Sequence, residues 1–134
     1  MTNIKRGEVY MADLEMVDGS VQHGYRPVVI VQNNIGNKHA ATTIIVPITT
    51  KKENKWYMPT HVKVNRMKEL DSSSKAICEQ IITISKTRLK KRVGALNRRK
   101  MIEINLALAI SILPGCVQAI CQMYKIKNKF KDMA

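Results

Sequence analysis

Two runs of apolar, largely β-branched residues in the first fifty positions constrain this chain more than any other feature. They cover residues 24–33 and 43–50, and each has the length and composition of a buried β-strand with turn-forming residues on both sides. Arg26 lies near the start of the first run, directly before a proline that favours an extended backbone. Thr49 lies at the end of the second. If the two strands are antiparallel neighbours, we expect Arg26 and Thr49 to lie close together at one end of the sheet.

The remaining sequence predicts more short strands, followed by helices. Strand patterns cover residues 8–12, 60–64, 76–84 and 93–95, and a short helix is predicted at residues 85–89. Asn97 is a good N-cap for a longer helix, which Pro114 and Gly115 should end. Short connections and sparse helix signals before residue 84 indicate a mainly β chain with helices (α+β), arranged as a compact antiparallel barrel.

The C-terminal helices are unusually apolar. In the first, one predicted face consists of Met101, Ile104, Leu108 and Ile112, with a second stripe of Leu106, Ala109 and Leu113. A further helix is predicted over residues 116–124. No charged residue occurs from residue 104 to 124, which is long enough to span a bilayer. Because a Pro-Gly pair interrupts the stretch, we expect a soluble helical hairpin, with a membrane segment as the alternative.

Positive charge is concentrated in the C-terminal part. The formal net charge is +13, and residues 83–134 carry 12 basic side chains against 2 acidic ones. A basic cluster comprises Lys86, Arg88, Lys90, Lys91, Arg92, Arg98, Arg99 and Lys100. Such a cluster attracts phosphate backbones in a salt-dependent way, or an acidic protein, although a solvated helical face has the same composition.

Cysteine usage predicts neither a disulfide framework nor a metal site. The three cysteines are an odd number, and none has CxxC or Cys/His spacing, so we expect no metal and no cofactor. The amino terminus leads into a strand without an apolar signal segment. We therefore expect a cytoplasmic protein.

Short motifs occur in a fixed order over residues 4–112. They include Lys5-Arg6-Gly7-Glu8-Val9-Tyr10, Arg26-Pro27-Val28-Val29-Ile30-Val31-Gln32-Asn33, Val46-Pro47-Ile48-Thr49, Pro59-Thr60-His61-Val62 and Glu79-Gln80-Ile81. This ordered set closely resembles the MazF/PemK family of toxin endoribonucleases. The resemblance implies an SH3-like antiparallel β-barrel (MazF/CcdB-like) with C-terminal helices. We expect that barrel domain in residues 1–113 and a helical, lysine-rich extension in residues 114–134.

The resemblance also implies a function. Such a chain is the toxin of a type II toxin–antitoxin system, a homodimer that cleaves single-stranded mRNA at short sequences, without ribosome or metal. The nucleophile is the substrate's own 2′-hydroxyl. A cognate acidic antitoxin, MazE-like, is the expected partner.

The family's catalytic arginine and threonine map onto Arg26 and Thr49. A guanidinium can grip a phosphate and stabilise the charge of a pentacoordinate phosphorus, whereas its high pKa makes it a poor general base. His23, three residues earlier, is a possible acid or base, or an exposed bystander. Expected substrate contacts are Ser20, Gln22, Asn33 and Gln80, whose alternative is ordinary turn or strand hydrogen bonding.

Two departures from the family pattern leave other functions open. Val21 replaces a commonly acidic residue and Ile82 a commonly basic one, so a weakened RNA-binding member is one alternative. A gyrase poison of the same fold, acting by binding as CcdB does, is another. Arg26 and Thr49 together favour the nuclease, because a binding module does not need that pair at one site.

Overall fold

The computed structural model describes residues 3–15, 22–50, 58–70 and 73–130 of the 134-residue chain. Seven strands and three α-helices lie in these segments. In chain order they are β1 (Glu8–Leu14), β2 (Gly24–Ile30), α1 (Asn34–His39), β3 (Thr42–Thr49), β4 (His61–Lys63), β5 (Lys75–Ile77), β6 (Ile82–Ser85), β7 (Leu89–Ala95), α2 (Arg98–Ile112) and α3 (Val117–Met123). Two short 3₁₀ helices, Lys86–Arg88 and Pro114–Cys116, join β6 to β7 and α2 to α3.

The strands form one antiparallel sheet centred on β3. Strand β2 pairs with one edge of β3, while β6 and β5 pair with successive parts of the other edge. The hydrogen-bonded path runs β4-β5-β3-β2-β1-β7, so the sheet is open between the described strands β4 and β7. The predicted α+β class, an antiparallel sheet with helices at the C-terminus, is confirmed.

Both faces of the central strands are buried, which explains their continuous apolar sequence. Successive side chains of a strand point to opposite faces. Val29, Val46 and Ile48 therefore join one core, which also contains Ile104 of α2. Residues of the other parity, among them Val28, Ile30 and Ile45, form a second core against Tyr10, Leu14 and Leu89.

Helix α1 was not predicted, since its sequence suggested only a turn. Asn33 caps it by accepting a hydrogen bond from the Gly36 N–H at 2.8 Å. Its Asn37 side chain is fully buried, donates to the Gln32 carbonyl and accepts from the Thr43 hydroxyl at 2.8 Å. These polar contacts, rather than an apolar face, hold α1 on the sheet.

Helix α2 begins as predicted, with the Asn97 side chain accepting from the Lys100 N–H at 2.9 Å. Its apolar face was predicted correctly at Ile104 and Leu106 but wrongly at Ile112, which is 63% exposed. The reason is that the chain turns at Pro114, and α3 packs back against Leu106 and Ala109. Ile112 is left in the last turn, beyond that contact.

The C-terminal extension shares a core with α2. Val117 and Cys121 of α3 are buried against the Leu106 side of α2, and Ile120 and Phe130 pack at the edge of the same cluster. None of the helices in the described part of the chain combines the length and hydrophobicity that crossing a bilayer requires.

Glu79 ties the start of β4 to the residues that follow β5. Its carboxylate accepts from the Thr60 hydroxyl at 2.7 Å and lies 3.0 Å from His61 Nε2. Burial alone would raise the pKa of Glu79, but the hydrogen bonds from Thr60, its own backbone and His61 outweigh it, so the pKa lies below its ordinary value.

The contrast between Ile104 and Ile112 provides a test of the core. Ile104→Ala should lower the free energy of unfolding by about 2–5 kcal/mol, because Ile104 is fully buried and the substitution leaves a cavity. Ile112→Ala, the same change on the same helix, should cost less than about 0.5 kcal/mol. Urea unfolding measures both, and similar losses at the two positions would contradict this packing.

Glu79 should contribute to acid stability. Because its pKa is lower in the folded chain than the value of about 4.3 in an unfolded one, its stabilisation is complete above that value. It is lost as the pH falls through the folded-state pKa. We expect Glu79→Gln to lose less stability than the unmodified chain between pH 5 and pH 3, measured by urea unfolding at each pH. Parallel pH profiles for the two proteins would contradict this assignment.

Candidate functional site

The strand registers bring Arg26 and Thr49 to the same end of the sheet. In β2 and β1, Arg26 is paired with Ala12. The β2–β3 ladder pairs Ile30 with Ile45 and ends with Val28 opposite Pro47. Continued by two residues, the same register brings Arg26 opposite Thr49. Residues paired across neighbouring strands share a face of the sheet. Arg26 and Thr49 therefore lie on the face of the second core, at the end of that core.

The loop before β2 holds the Arg26 guanidinium. Its Nε donates to the His23 carbonyl at 2.6 Å, and its Nη1 donates to the Gln22 side-chain oxygen. The Gln22 N–H in turn donates to the Gln80 side-chain oxygen at 2.8 Å. Three residues predicted separately from the sequence, Arg26, Gln22 and Gln80, are thus joined in one network.

The environment of Arg26 is partly buried and contributes neutral acceptors. Burial lowers the pKa of Arg26 from its ordinary value. His23 supplies its backbone carbonyl to this contact, and its side chain is half-buried in the same loop. The guanidinium is therefore fixed in direction by neutral acceptors.

Thr49 is the last residue of β3 and is only 6% exposed. On the edge of β3 that faces β5, Thr49 is paired with Lys75. Thr49 therefore belongs to the strand between β2, which carries Arg26, and β5, which carries Lys75. Sequence analysis did not single out Lys75, because three-residue β5 gives no strong pattern and its register is set only by tertiary pairing.

The remaining predicted contacts are distributed differently. Asn33 lies beyond the other end of β2 and caps α1, so the structure does not bring it to Arg26. Ser20 lies outside the described residues, as does Val21. Ile82 is paired with Ile45 and packs against the second core.

Half of the predicted basic cluster is paired with carboxylates. The four ion pairs are Arg88–Glu15, Lys91–Glu69, Arg92–Glu8 and Lys100–Glu103. Lys86 donates to the Asn37 carbonyl, and the Arg98 guanidinium lies over the Tyr124 ring, 5.8 Å from its centroid. The pairing of β1 with β7 brings Glu8 to Arg92, whereas Lys100 and Glu103 lie three residues apart in α2.

Thiol chemistry is not supported at this site. The three cysteines are free, and burial raises the pKa of Cys78 to about 12, with a contribution from the Glu79 charge. Its thiol is therefore protonated at neutral pH and is a poor nucleophile. In the described segments, no three His, Cys, Asp or Glu side chains are grouped to hold a metal ion.

Sequence comparisons identify relatives over most of the chain. Residues 5–112 match a family described as PemK-like, MazF-like toxin of type II toxin-antitoxin system. A protein of Staphylococcus epidermidis named Endoribonuclease MazF is 49% identical over 110 residues, covering 81% of this chain and 91% of that protein. Its namesake from Staphylococcus saprophyticus subsp. saprophyticus is 47% identical with the same coverage.

Solved structures agree with the sequence comparison. An endoribonuclease in complex with its cognate antitoxin, from a mycobacterial species, superposes with a TM-score of 0.67 at 30% identity, covering 82% of this chain and 95% of that one. A second mycobacterial endoribonuclease gives a TM-score of 0.65 at 29% identity, covering 81% and 90%. With a family match over residues 5–112 and relatives near half identity, this chain belongs to the PemK-like, MazF-like toxins of type II toxin–antitoxin systems.

Proposed function

We propose that this chain is the endoribonuclease of such a system and cleaves single-stranded RNA with Arg26 and Thr49 as its catalytic residues. The cleavage is sequence-specific and independent of the ribosome and of metal ions. The proposal is supported by the β2–β3 register, which, continued by two residues, brings a fixed, partly buried guanidinium opposite a nearly buried hydroxyl. The general activity, an endoribonuclease toxin, follows from the family and from its relatives' names.

In the proposed reaction the substrate supplies its own nucleophile. The 2′-hydroxyl oxygen forms a bond to the neighbouring phosphorus, and the bond from phosphorus to the 5′-oxygen breaks. The proton of the 2′-hydroxyl goes to a base, and the departing 5′-oxygen takes up a proton. The products are a 2′,3′-cyclic phosphate and a 5′-hydroxyl, so no water is consumed.

Arg26 acts on the charge that develops at phosphorus. A planar guanidinium donates two parallel hydrogen bonds to phosphate oxygens, and donors fixed before the reaction stabilise a transition state most effectively. The contacts of Arg26 to His23 and Gln22 supply that fixation. Although burial lowers the pKa of Arg26, we assign it electrostatic stabilisation first and proton transfer second.

Thr49 and the loop residues have supporting roles. The Thr49 hydroxyl donates to a non-bridging oxygen or orients the 2′-hydroxyl. Gln22 and Gln80 position Arg26 and present amide groups to bases near the cleaved bond, and Ser20 remains a predicted substrate contact. His23 is the candidate for proton transfer, since an imidazole ring can both accept and donate a proton.

The proposed partners are a second copy of the chain and a cognate antitoxin, and the proposed location is the cytoplasm. An antitoxin partner is supported by the mycobacterial endoribonuclease solved in complex with its own. The net charge of +13 favours rapid association with an acidic antitoxin segment.

We propose residues 1–113 as the catalytic domain and residues 114–134 as an extension that enlarges the dimer interface.

A gyrase poison of the same fold is the alternative function. The endoribonuclease names of relatives at 49% and 47% identity favour cleavage over that alternative. A weakened RNA-binding member differs from both, because it would bind RNA and leave it intact.

Cleavage should depend on Arg26 and not on a divalent metal. We expect the purified protein in EDTA to cut a long single-stranded RNA at a shared short sequence, and Arg26→Ala to lower kcat/KM at least about 100-fold. Lys38→Ala, which removes an exposed cation of α1 outside the predicted basic cluster, is the control and should cut normally. Mapping of 5′ ends identifies the cut sequence, and initial rates give kcat/KM for each variant. If the unmodified protein left the RNA uncut, the proposed nuclease activity would be wrong.

The hydroxyl of Thr49 should matter more than its size. Thr49→Val keeps the shape of this nearly buried side chain and removes its donor, so we expect kcat to fall at least about tenfold. Thr49→Ser restores the hydroxyl and should recover most of the activity. Thr83→Val, an exposed position on β6, serves as control, and equal rates for the two valine variants would remove Thr49 from the mechanism.

A further inference from the structure

The face that carries Arg26 and Thr49 continues across two more strands. Thr49 is paired with Lys75 of β5, and Lys75 is paired with Lys63 of β4. Because cross-strand partners share a face, Thr49, Lys75 and Lys63 form one row across β3, β5 and β4. The β2–β3 register, continued by two residues, adds Arg26 at the other end of this row. Lys75 is half-buried and Lys63 is exposed.

The two lysines at the end of this row are arranged unfavourably for an unliganded protein. Like charges directly opposite each other on paired strands are destabilising. Neither lysine makes an ion pair with a carboxylate of the described segments, whereas Arg88, Lys91 and Arg92 on the far side of the sheet each do. A bound anion would relieve this repulsion.

We propose that Lys75 and Lys63 form a phosphate track, which binds the RNA backbone on one side of the cleaved bond. This inference rests on the proposed function, since it takes the cleaved phosphate to lie at Arg26 and Thr49. Neighbouring strands are about 4.8 Å apart, so the roots of the two lysine side chains lie about 5 and 10 Å from Thr49. Flexible lysine stems bring their ammonium groups to the next two phosphates of an extended single strand.

The chemistry of the row favours phosphates over bases. An ammonium is a compact point charge with three donors, which suits a phosphate oxygen, and it has no planar surface on which a base can stack. In the row itself, Arg26 contributes the only planar group. The track therefore adds affinity and fixes the direction of the strand, without reading its sequence.

The test compares Lys75→Gln, Lys63→Gln and the double variant with Lys38→Gln, which changes an exposed lysine in the last turn of α1. The readout is kcat/KM for an oligonucleotide with one cleavage sequence, over a range of salt concentrations. Each lost phosphate contact should reduce the slope of log(kcat/KM) against log[salt] by about 0.7 and lower kcat/KM roughly three- to tenfold at low salt. The maximal rate and the Lys38→Gln slope should stay unchanged.

Neutral methylphosphonate linkages identify the phosphates concerned. Substituting the first or second linkage beside the cleaved bond should weaken the unmodified enzyme, and it should remove the additional effect of Lys75→Gln or Lys63→Gln, respectively. Thermal unfolding supplies the check on folding. The lysine variants should be at least as stable as the unmodified chain, because each relieves a like-charge pair.

The outcomes separate this inference from the proposed function. If the unmodified protein cuts RNA and the double variant has the same salt dependence of kcat/KM, the phosphate track is wrong and the proposed nuclease activity is unaffected. If no RNA is cut, the nuclease is wrong, and the salt dependence of binding to the same oligonucleotides still tests the lysines. A double variant that loses affinity for the cognate antitoxin, with RNA binding intact, would overturn the track in favour of an acidic peptide.

Discussion

The register of β3 against its neighbours is the constraint on which the rest of the structure depends. A slip of one residue would turn every side chain of β3 to the opposite face and separate Thr49 from Arg26. Since both faces of β3 are apolar, hydrophobic patterning alone does not fix this register. Pro47 helps to fix it, because a proline has no N–H to donate and Pro47 lies between the part of β3 paired with β6 and the part paired with β5. Thr43 adds a second anchor through its hydrogen bond to the buried Asn37.

The positive charge of the site is available because Arg26 forms no ion pair with a carboxylate of the described residues. Its hydrogen-bond partners, the His23 carbonyl and the Gln22 side-chain amide, are neutral, so its positive charge is oriented without being cancelled. Arg92, by contrast, forms an ion pair with Glu8, and the carboxylate weakens its attraction for a phosphate. Partial burial strengthens the interaction of Arg26 with an anion, and the same burial lowers its pKa because the charged form is less well solvated.

Local sequence patterns predicted the strands and the helix start that depend on residue composition and capping. The β-branched runs marked β2 and β3, and Asn97 marked the start of α2. Helix α1 was missed because six residues with a buried asparagine have no apolar periodicity; only the Asn33 cap could have indicated it.

Charge pairing was beyond the reach of sequence patterns for a different reason. Arg92 and Glu8 are distant in sequence and meet only because β7 pairs with β1, so the basic cluster was predicted to be more available than it is. The Arg26–Thr49 pair was predictable in outline, since an antiparallel pairing of two recognisable strands implies it. The network through Gln22 and Gln80 depends on tertiary contacts between residues 58 positions apart. Candidate sites assembled from strand ends can thus be anticipated, whereas the groups that orient them require the structure.

One of the two departures from the family pattern, Ile82, has a physical explanation in this sheet. Ile82, at the position where the family commonly has a basic residue, faces Ile45 and extends the second core, so the loss of charge there is compensated by apolar packing. On the same edge of β3, four residues further along, Lys75 faces Thr49. A strand rises about 3.3 Å per residue, so positive charge stands about 13 Å along β3 from Ile45 and directly beside the proposed catalytic threonine. In the proposed phosphate track, Lys75 supplies a positive charge beside the cleaved phosphate that position 82 no longer supplies.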